Sequence, residues 1–506
     1  MLDLLQQLPN RTYRQARRLT RKYGVFWFGA IVVGLVAVLY ARLIDFGFGI
    51  FQQLDHRHFW LPLLLSPAAS ALSVWLTRRY FRGSEGSGIP QVIATLQVGG
   101  SEMGKRLLTL RLALAKIGIS FIAILGGLTI GREGPTVQVG SAIMFNLRRF
   151  YPRSNQLLDR QLVLAGAAAG LSAAFNTPLA GIVFAIEELS RSFEQRASGV
   201  VITAIVFAGI VALSLNGNYT YFGAINIIGP FPKMTAVVVV VTAIVTGLAG
   251  GAFGWLLLNT SRWIPQPLQQ MRVARPVVFA ALCGLAVAVL GIVAGGATFG
   301  SGYSEARGLL EGGQPLSMFY PFMKFASMIG SYLPGIPGGI FAPSLSIGAG
   351  IGNVLHEIFR EIPLPMLIAL GMVGYLAGVT QSPITAFVIV MEMINGHALV
   401  ISLMATSLIA SRVSRLFVPP LYEALSERYA PSILAAAVAP APPTASAATT
   451  DTPTPTASAA AAADAPPMAS TAATDPPSKT GTQVMDTPPA QTPAATGTRH
   501  DTDPAN

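Results

Sequence analysis

Three short stretches of this sequence combine residue types and spacing that could do chemistry: GSGIP (residues 86–90), GREGP (131–135) and GIFAP (339–343). Each reads as a glycine-rich turn running into a helix, with proline in the first turn. Such a start leaves backbone N–H groups unpaired at the positive end of the helix dipole, and that end attracts anions. In the first stretch Ser87 adds a hydroxyl donor. Partial charges suit an ion that must leave again, because a full buried counter-charge would hold it too firmly. Glu133 then makes chemical sense as an anion on a tether, occupying the pocket of a permeating anion when ionised and withdrawing when protonated. Proton and anion would compete through one side chain. Two plainer readings stand beside this one: Ser87 as an ordinary helix cap, and Glu133 as a carboxylate stabilising a helix N-terminus by about 0.3–1 kcal/mol.

The elements that must carry these turns belong in a bilayer. With 52% hydrophobic and 11% charged residues, the 506-residue chain is too apolar for an ordinary soluble globule. Charge-free stretches at 197–232, 234–261, 276–304 and 362–391 each exceed the roughly 20 apolar residues that cross a membrane. The 51 glycines and 36 prolines argue for many short or interrupted helices over a few straight ones. A net charge of +11 would also fit nucleic acid, but Arg11, Arg14, Arg17, Arg18, Arg21 and Lys22 crowd the flank of the first span. That is the positive-inside pattern, so residues 1–23 are expected to form a basic cytoplasmic segment and no nucleic-acid partner is expected. The apolar run after Tyr23 is long and has no A-x-A-like site, so no cleavable signal is expected. From 431 to 506 the sequence turns to alanine, proline and threonine, a composition that predicts a disordered tail. Cys283 is alone and reads as a small buried apolar residue.

A repeat is legible as spacing. Gly131, Pro135 and Gly140 match Gly339, Pro343 and Gly348, both as G-x3-P-x4-G, and Gly166, Pro178 and Glu187 match Gly371, Pro383 and Glu392. Internal duplication is typical of transporters that bind substrate on broken helices where the halves meet. The spacing alone leaves open whether the second half is inverted.

GSGIP, GREGP and GIFAP in this order, with a late tyrosine, Tyr422 in PPLYEAL, resemble the CLC family of chloride channels and chloride/proton exchangers, in the bacterial form without CBS domains. The resemblance spans roughly residues 20–430. It implies an all-α integral membrane protein at 24–430, built as two inverted repeats of tilted and broken helices at about 24–215 and 234–425. It further implies a homodimer with one pore per subunit, in a cell membrane such as the bacterial inner membrane, with N-terminus and tail cytoplasmic, chloride and protons as cargo, and no cofactor or metal. Carried over, Ser87 and Tyr422 would give hydroxyls to a central chloride, completed by the amides of Ile340 and Phe341. The amides around Arg132 to Gly134 and Ile340 to Ala342 would form the outer site that Glu133 visits. The Arg132 side chain would raise the positive potential at the pore mouth or snorkel to water. A membrane-edge position would make Tyr422 an interfacial anchor instead. The buried Lys116, 17 residues before Glu133, also matches a basic family position; it would deepen the anion-attracting field or pair with a carboxylate.

Glu188 matches the glutamate that receives protons from the cytoplasm in the family's exchangers. Glu187 would lie on the same proton path, or the two would form a solvated charge cluster with Arg191. Gln91 and Ile93 stand where many exchangers carry acids, so the internal water route would differ. The resemblance thus favours a chloride/proton antiporter, with a passive chloride channel as the alternative and a sodium-coupled organic-anion carrier as a remoter one. An enzyme is disfavoured, because His56, His58, His356, His397 and His500 show no metal-ligand spacing. GAGIG near residue 350 reads as close helix packing before it reads as a dinucleotide loop.

Overall fold

Inside a bilayer the backbone must satisfy its own hydrogen bonds, so apolar stretches fold as helices. The computed structural model describes residues 10–97, 101–151, 155–190, 199–217, 220–225, 233–313 and 316–429, which are helical with no strand among them. The chain divides into two units, Met1–Pro440 and Ala441–Asn506. The second holds most of the expected disordered tail and, like Arg191, lies outside the described residues.

Five helices among the described residues are long and apolar enough to cross a membrane: Tyr23–Arg57, Gly199–Asn216, Thr235–Leu258, Pro276–Val293 and His397–Arg415. The first is continuous with a helix that starts at Asn10, so no helix break marks the expected boundary at residue 23. The charge-free stretch 362–391, expected as a span, is instead two helices, Leu364–Thr380 and Pro383–Ile394. Gln381 between them takes a left-handed φ of 60°, and Pro383 removes a backbone donor. The first half breaks in the same way: Gln156–Phe175 and Pro178–Phe184 are separated by Asn176 at φ 58°.

Glycines set how closely the helices cross. Helix Glu133–Asn146 lies on Gln156–Phe175 where Gly140 meets Gly166; a Cβ on either would strike the other's carbonyl. Helix Phe341–Ile358 lies on Leu364–Thr380 where Gly348 meets Gly371 in the same way, and Gly352 abuts Leu367. Two glycines of the 348–352 stretch therefore serve a helix crossing. Small residues permit this in lipid, where van der Waals packing must replace a hydrophobic drive.

The halves meet at an antiparallel bridge: Gly131 N–H donates to Gly339 O (2.7 Å) and Gly339 N–H to Gly131 O (2.6 Å). The paired backbones run oppositely at this point, as an inverted repeat requires. A third correspondence joins these. Gly86 and Gly88 have φ of 61° and 97°, and Gly300 and Gly302 have φ of 63° and 78°. GSGYS in the second half thus folds like GSGIP in the first.

Candidate functional site

The bridge gathers the three glycine turns at one place. Helices Glu133–Asn146 and Phe341–Ile358 both start beside it, and Gly134 sits so close to Ser87 that a Cβ there would strike the serine Oγ. Ser87 and Tyr422 are buried, at 1% and 0% exposure, and their hydroxyls are neighbours. Neither meets hydrogen-bond geometry with any other group, so at most they pair with each other. A capping serine would accept a backbone N–H, which Ser87 does not do, and an interfacial anchor would reach the surface, which Tyr422 does not. Leaving such hydroxyls dry and unpaired costs about 1–3 kcal/mol each, so the pair suits a ligand with acceptor capacity. Ile340, Phe341 and Ala342, the residues whose amides are expected to face the anion, are all buried. The Phe341 ring lies 6.1 Å from that of Tyr422.

Glu133 is 1% exposed. Its carboxylate lies against the backbone N–H groups of its own residue and of Ala342, and Tyr221 donates to its Oε1 at 3.3 Å. The carboxylate thus rests where the two helix starts converge. The Arg132 side chain neither snorkels freely nor faces the site unpaired. It donates to Asp45 Oδ1 (2.6 Å), Ala41 O (3.1 Å) and the Tyr221 hydroxyl (3.4 Å). Asp45 offsets part of its charge, which still acts on the Glu133 carboxylate. Tyr221, which sequence reasoning missed, touches both Arg132 and Glu133; Tyr303 fixes it by donating to its carbonyl at 2.7 Å. No spacing in NYTYFG signals that role.

Glu188 lies on a one-turn π-helix, Ala185–Ser190, at 1% exposure. It accepts from the Ser382 hydroxyl and shares a tight wall with Phe341, Leu376 and Thr380. Tyr422 is within electrostatic reach of both Glu188 and Glu133. Glu187 turns elsewhere, accepting from the N–H groups of Ile384 (3.1 Å) and Thr385 (2.6 Å). Glu392, its counterpart, accepts from Leu179 (3.2 Å) and Ala180 (2.6 Å). Each carboxylate caps the first turn of the other half's broken helix, so Glu187 is a helix cap here and not a free member of a solvated pair.

Lys116 is wholly buried without a carboxylate partner among the described residues, and it donates to Gln138 Oε1 at 2.7 Å. Its repeat counterpart Lys324, also unflagged by the sequence, donates to the carbonyls of Thr298, Phe299 and Gly300 at 3.0–3.1 Å. Both ammonium groups stand behind a GSG turn: Lys324 bonds to its carbonyls, and Lys116 lies against Gly88. Gln91 binds the Glu85 and Gly83 carbonyls at 2.6 and 3.3 Å, so it secures the loop before GSGIP, while Ile93 is plain core.

Residues 68–415 match the family model described as voltage gated chloride channel. The chain is 28% identical over 455 residues to the H(+)/Cl(-) exchange transporter ClcA of Salmonella paratyphi A, covering 84% of this chain and 94% of the relative. The Salmonella typhi protein of that name matches to the same extent. Among solved structures, a slow cyanobacterial Cl-/H+ antiporter superposes with a TM-score of 0.71 at 24% identity, over 81% of this chain and 98% of its own. A CLC-type fluoride/proton antiporter gives 0.69 at 20% identity, over 80% and 98%. The match of the family model over most of the chain, with the fold and the three convergent turns, means that this chain belongs to the CLC family of voltage gated chloride channels.

Proposed function

We propose that this protein is a multi-pass membrane transporter that exchanges chloride for protons in opposite directions. The carrying observation is the resting place of Glu133: a buried carboxylate against the N–H of Ala342, beside the buried hydroxyls of Ser87 and Tyr422. In this reading chloride takes the hydroxyls of Ser87 and Tyr422 and the amides of Ile340 and Phe341. A second position lies among the amides of Arg132 to Gly134 and Ile340 to Ala342, where chloride and the Glu133 carboxylate exclude one another. Protonation neutralises Glu133 and frees the amides for chloride; deprotonation returns it. Glu188 receives the proton on the other side, with Phe341 and Tyr422 between the carboxylates. The Salmonella relatives named for H(+)/Cl(-) exchange support the assignment of cargo.

The working unit is residues 24–430, with repeat halves at about 24–215 and 234–425, assembled as a homodimer with one pore per subunit. The basic flank of the first span orients the N-terminus and tail to the cytoplasm of a bacterial inner membrane. The test is reconstitution into liposomes with chloride and protons followed together: an outward chloride gradient should drive protons uphill in the opposite direction. Chloride flux with no uphill proton movement at any pH would leave a passive channel. Flux that requires sodium and an organic anion would leave the carrier.

A further inference from the structure

The Ser87 hydroxyl is reached through a charged vestibule. A cavity of ≈ 360 Å³ opens onto Ser87 and is walled by Glu85, Arg272, Tyr332, Arg428 and Tyr429, among others. A second cavity of equal volume adjoins it, sharing Glu85 and Arg272 and adding Arg78 and Arg82. Four guanidinium groups and one carboxylate therefore line the approach. Arg272 is held in place by a 2.8 Å hydrogen bond to the Thr260 hydroxyl. Burial first, then the like charges of Arg428 and Arg78, lower its pKa. No ion pair joins any of the four arginines to an acid among the described residues. Membrane-flank arginines reach for lipid headgroups. Arg272 and Arg428 line a cavity that ends on a buried hydroxyl, and like charges gathered there in excess of the one carboxylate concentrate anions in the space they face.

Glu85 is the exception in sign. It stands two residues before Ser87, half-buried, with one carboxylate oxygen accepting the Gly83 N–H at 2.6 Å. The second half has Phe299 where GSGIP is preceded by Glu85, so the GSG turn does not require an acid at that point. Nor does the turn depend on the side chain, since Gln91 holds the Glu85 carbonyl.

We infer that the charge balance of this vestibule sets chloride affinity and flux at the Ser87 site: Arg272 and Arg428 draw the anion in, and Glu85 at the throat opposes it. The inference rests on the chloride reading above and assigns new residues to the same site. A unit charge facing an ion site across water at such range changes affinity by roughly two- to tenfold.

The experiment uses the full-length protein. Chloride binding is measured by isothermal titration calorimetry in detergent, and chloride efflux from proteoliposomes is measured as an initial rate. Glu85→Gln should bind chloride about two- to tenfold more tightly, whereas Arg272→Gln and Arg428→Gln should bind more weakly and transport more slowly. Arg428→Lys, which keeps the charge, should stay near wild type. All these differences should shrink when ionic strength is raised with a bulky anion that does not bind. The two signs guard against misfolding, since a damaged protein does not gain affinity. Wild-type transport with Glu85→Gln and both arginine variants unchanged would overturn this inference and leave the chloride reading intact. A wild type that neither binds nor moves chloride would overturn both.

Discussion

Removing either reciprocal cap should destabilise the protein by a similar amount and leave proton coupling in place. Each carboxylate makes one short contact, 2.6 Å to the N–H of Thr385 or Ala180, and one longer contact, 3.1 or 3.2 Å to the N–H of Ile384 or Leu179. A charge-assisted hydrogen bond contributes about 1.5–3 kcal/mol net. A negative charge at a helix start adds about 0.3–1 kcal/mol. Glu187→Ala or Glu392→Ala should therefore cost about 2–4 kcal/mol. The glutamine variants keep one acceptor and lose the charge, and should cost about half as much. Thermal midpoints of the purified variants, read by loss of the dimer peak, should fall by similar steps at the two positions. The chloride-to-proton ratio of the surviving protein should match wild type. If Glu187→Gln abolishes uphill proton movement at an unchanged midpoint while Glu392→Gln does not, then Glu187 carries protons and the cap argument fails.

Three further outcomes follow from the site. Glu133→Ala should keep chloride flux, because the backbone N–H groups remain, and lose proton coupling; Glu133→Gln, which mimics the protonated acid, should do the same, and uphill proton transport retained in both would defeat the tethered-anion mechanism. Ser87→Pro should shift coupled transport toward nitrate, as the family's use of proline at this place implies, and equal nitrate and chloride coupling in that variant would remove Ser87 from the filter. Truncation after about Ala435 should leave dimerisation and transport nearly intact, since the tail has too few apolar groups to offset the entropy of ordering it; loss of either would reveal a functional segment there.

What the sequence made legible is what glycine and proline punctuate. GSGIP, GREGP and GIFAP could be read as helix starts because those residues have narrow backbone uses, and the halves could be aligned because glycine crossings tolerate no substitute. The break in 362–391 occurs at Gln381, two residues before Pro383, and counting the run by its lack of charge alone passes over it. Other features had no such mark. The second GSG turn escaped the alignment because Gly86 to Gly300 is 214 residues whereas Gly131 to Gly339 is 208. Tyr221 and Asp45 act through contacts 88 and 87 residues distant in sequence, which no local pattern encodes. Glu392 was visible only as a spacing mark, since its role depends on an amide pair in the other half.

The inverted repeat separates scaffold from mechanism. Positions that keep their character in both halves are those whose contacts the two halves need alike: Gly131 and Gly339 at the bridge, Gly140 and Gly348 at the crossings, Lys116 and Lys324 behind the GSG turns, Glu187 and Glu392 as mutual caps. Glu133 corresponds to Phe341, and Glu188 to Met393. In each pair one half carries a buried acid and the other an apolar side chain at the same place in the same fold. A buried carboxylate without a symmetric structural task is costly to retain unless it is paired or used. Glu133 faces the amides at its own and the opposing helix start, and Glu188 accepts a serine hydroxyl from the other half beside Phe341. Glu133 and Glu188 are thus symmetry-breaking acids to which the proposed exchange assigns a role, as Glu85, opposite Phe299, is one assigned to the vestibule. Glu187, one residue from Glu188, falls on the symmetric side of the same division.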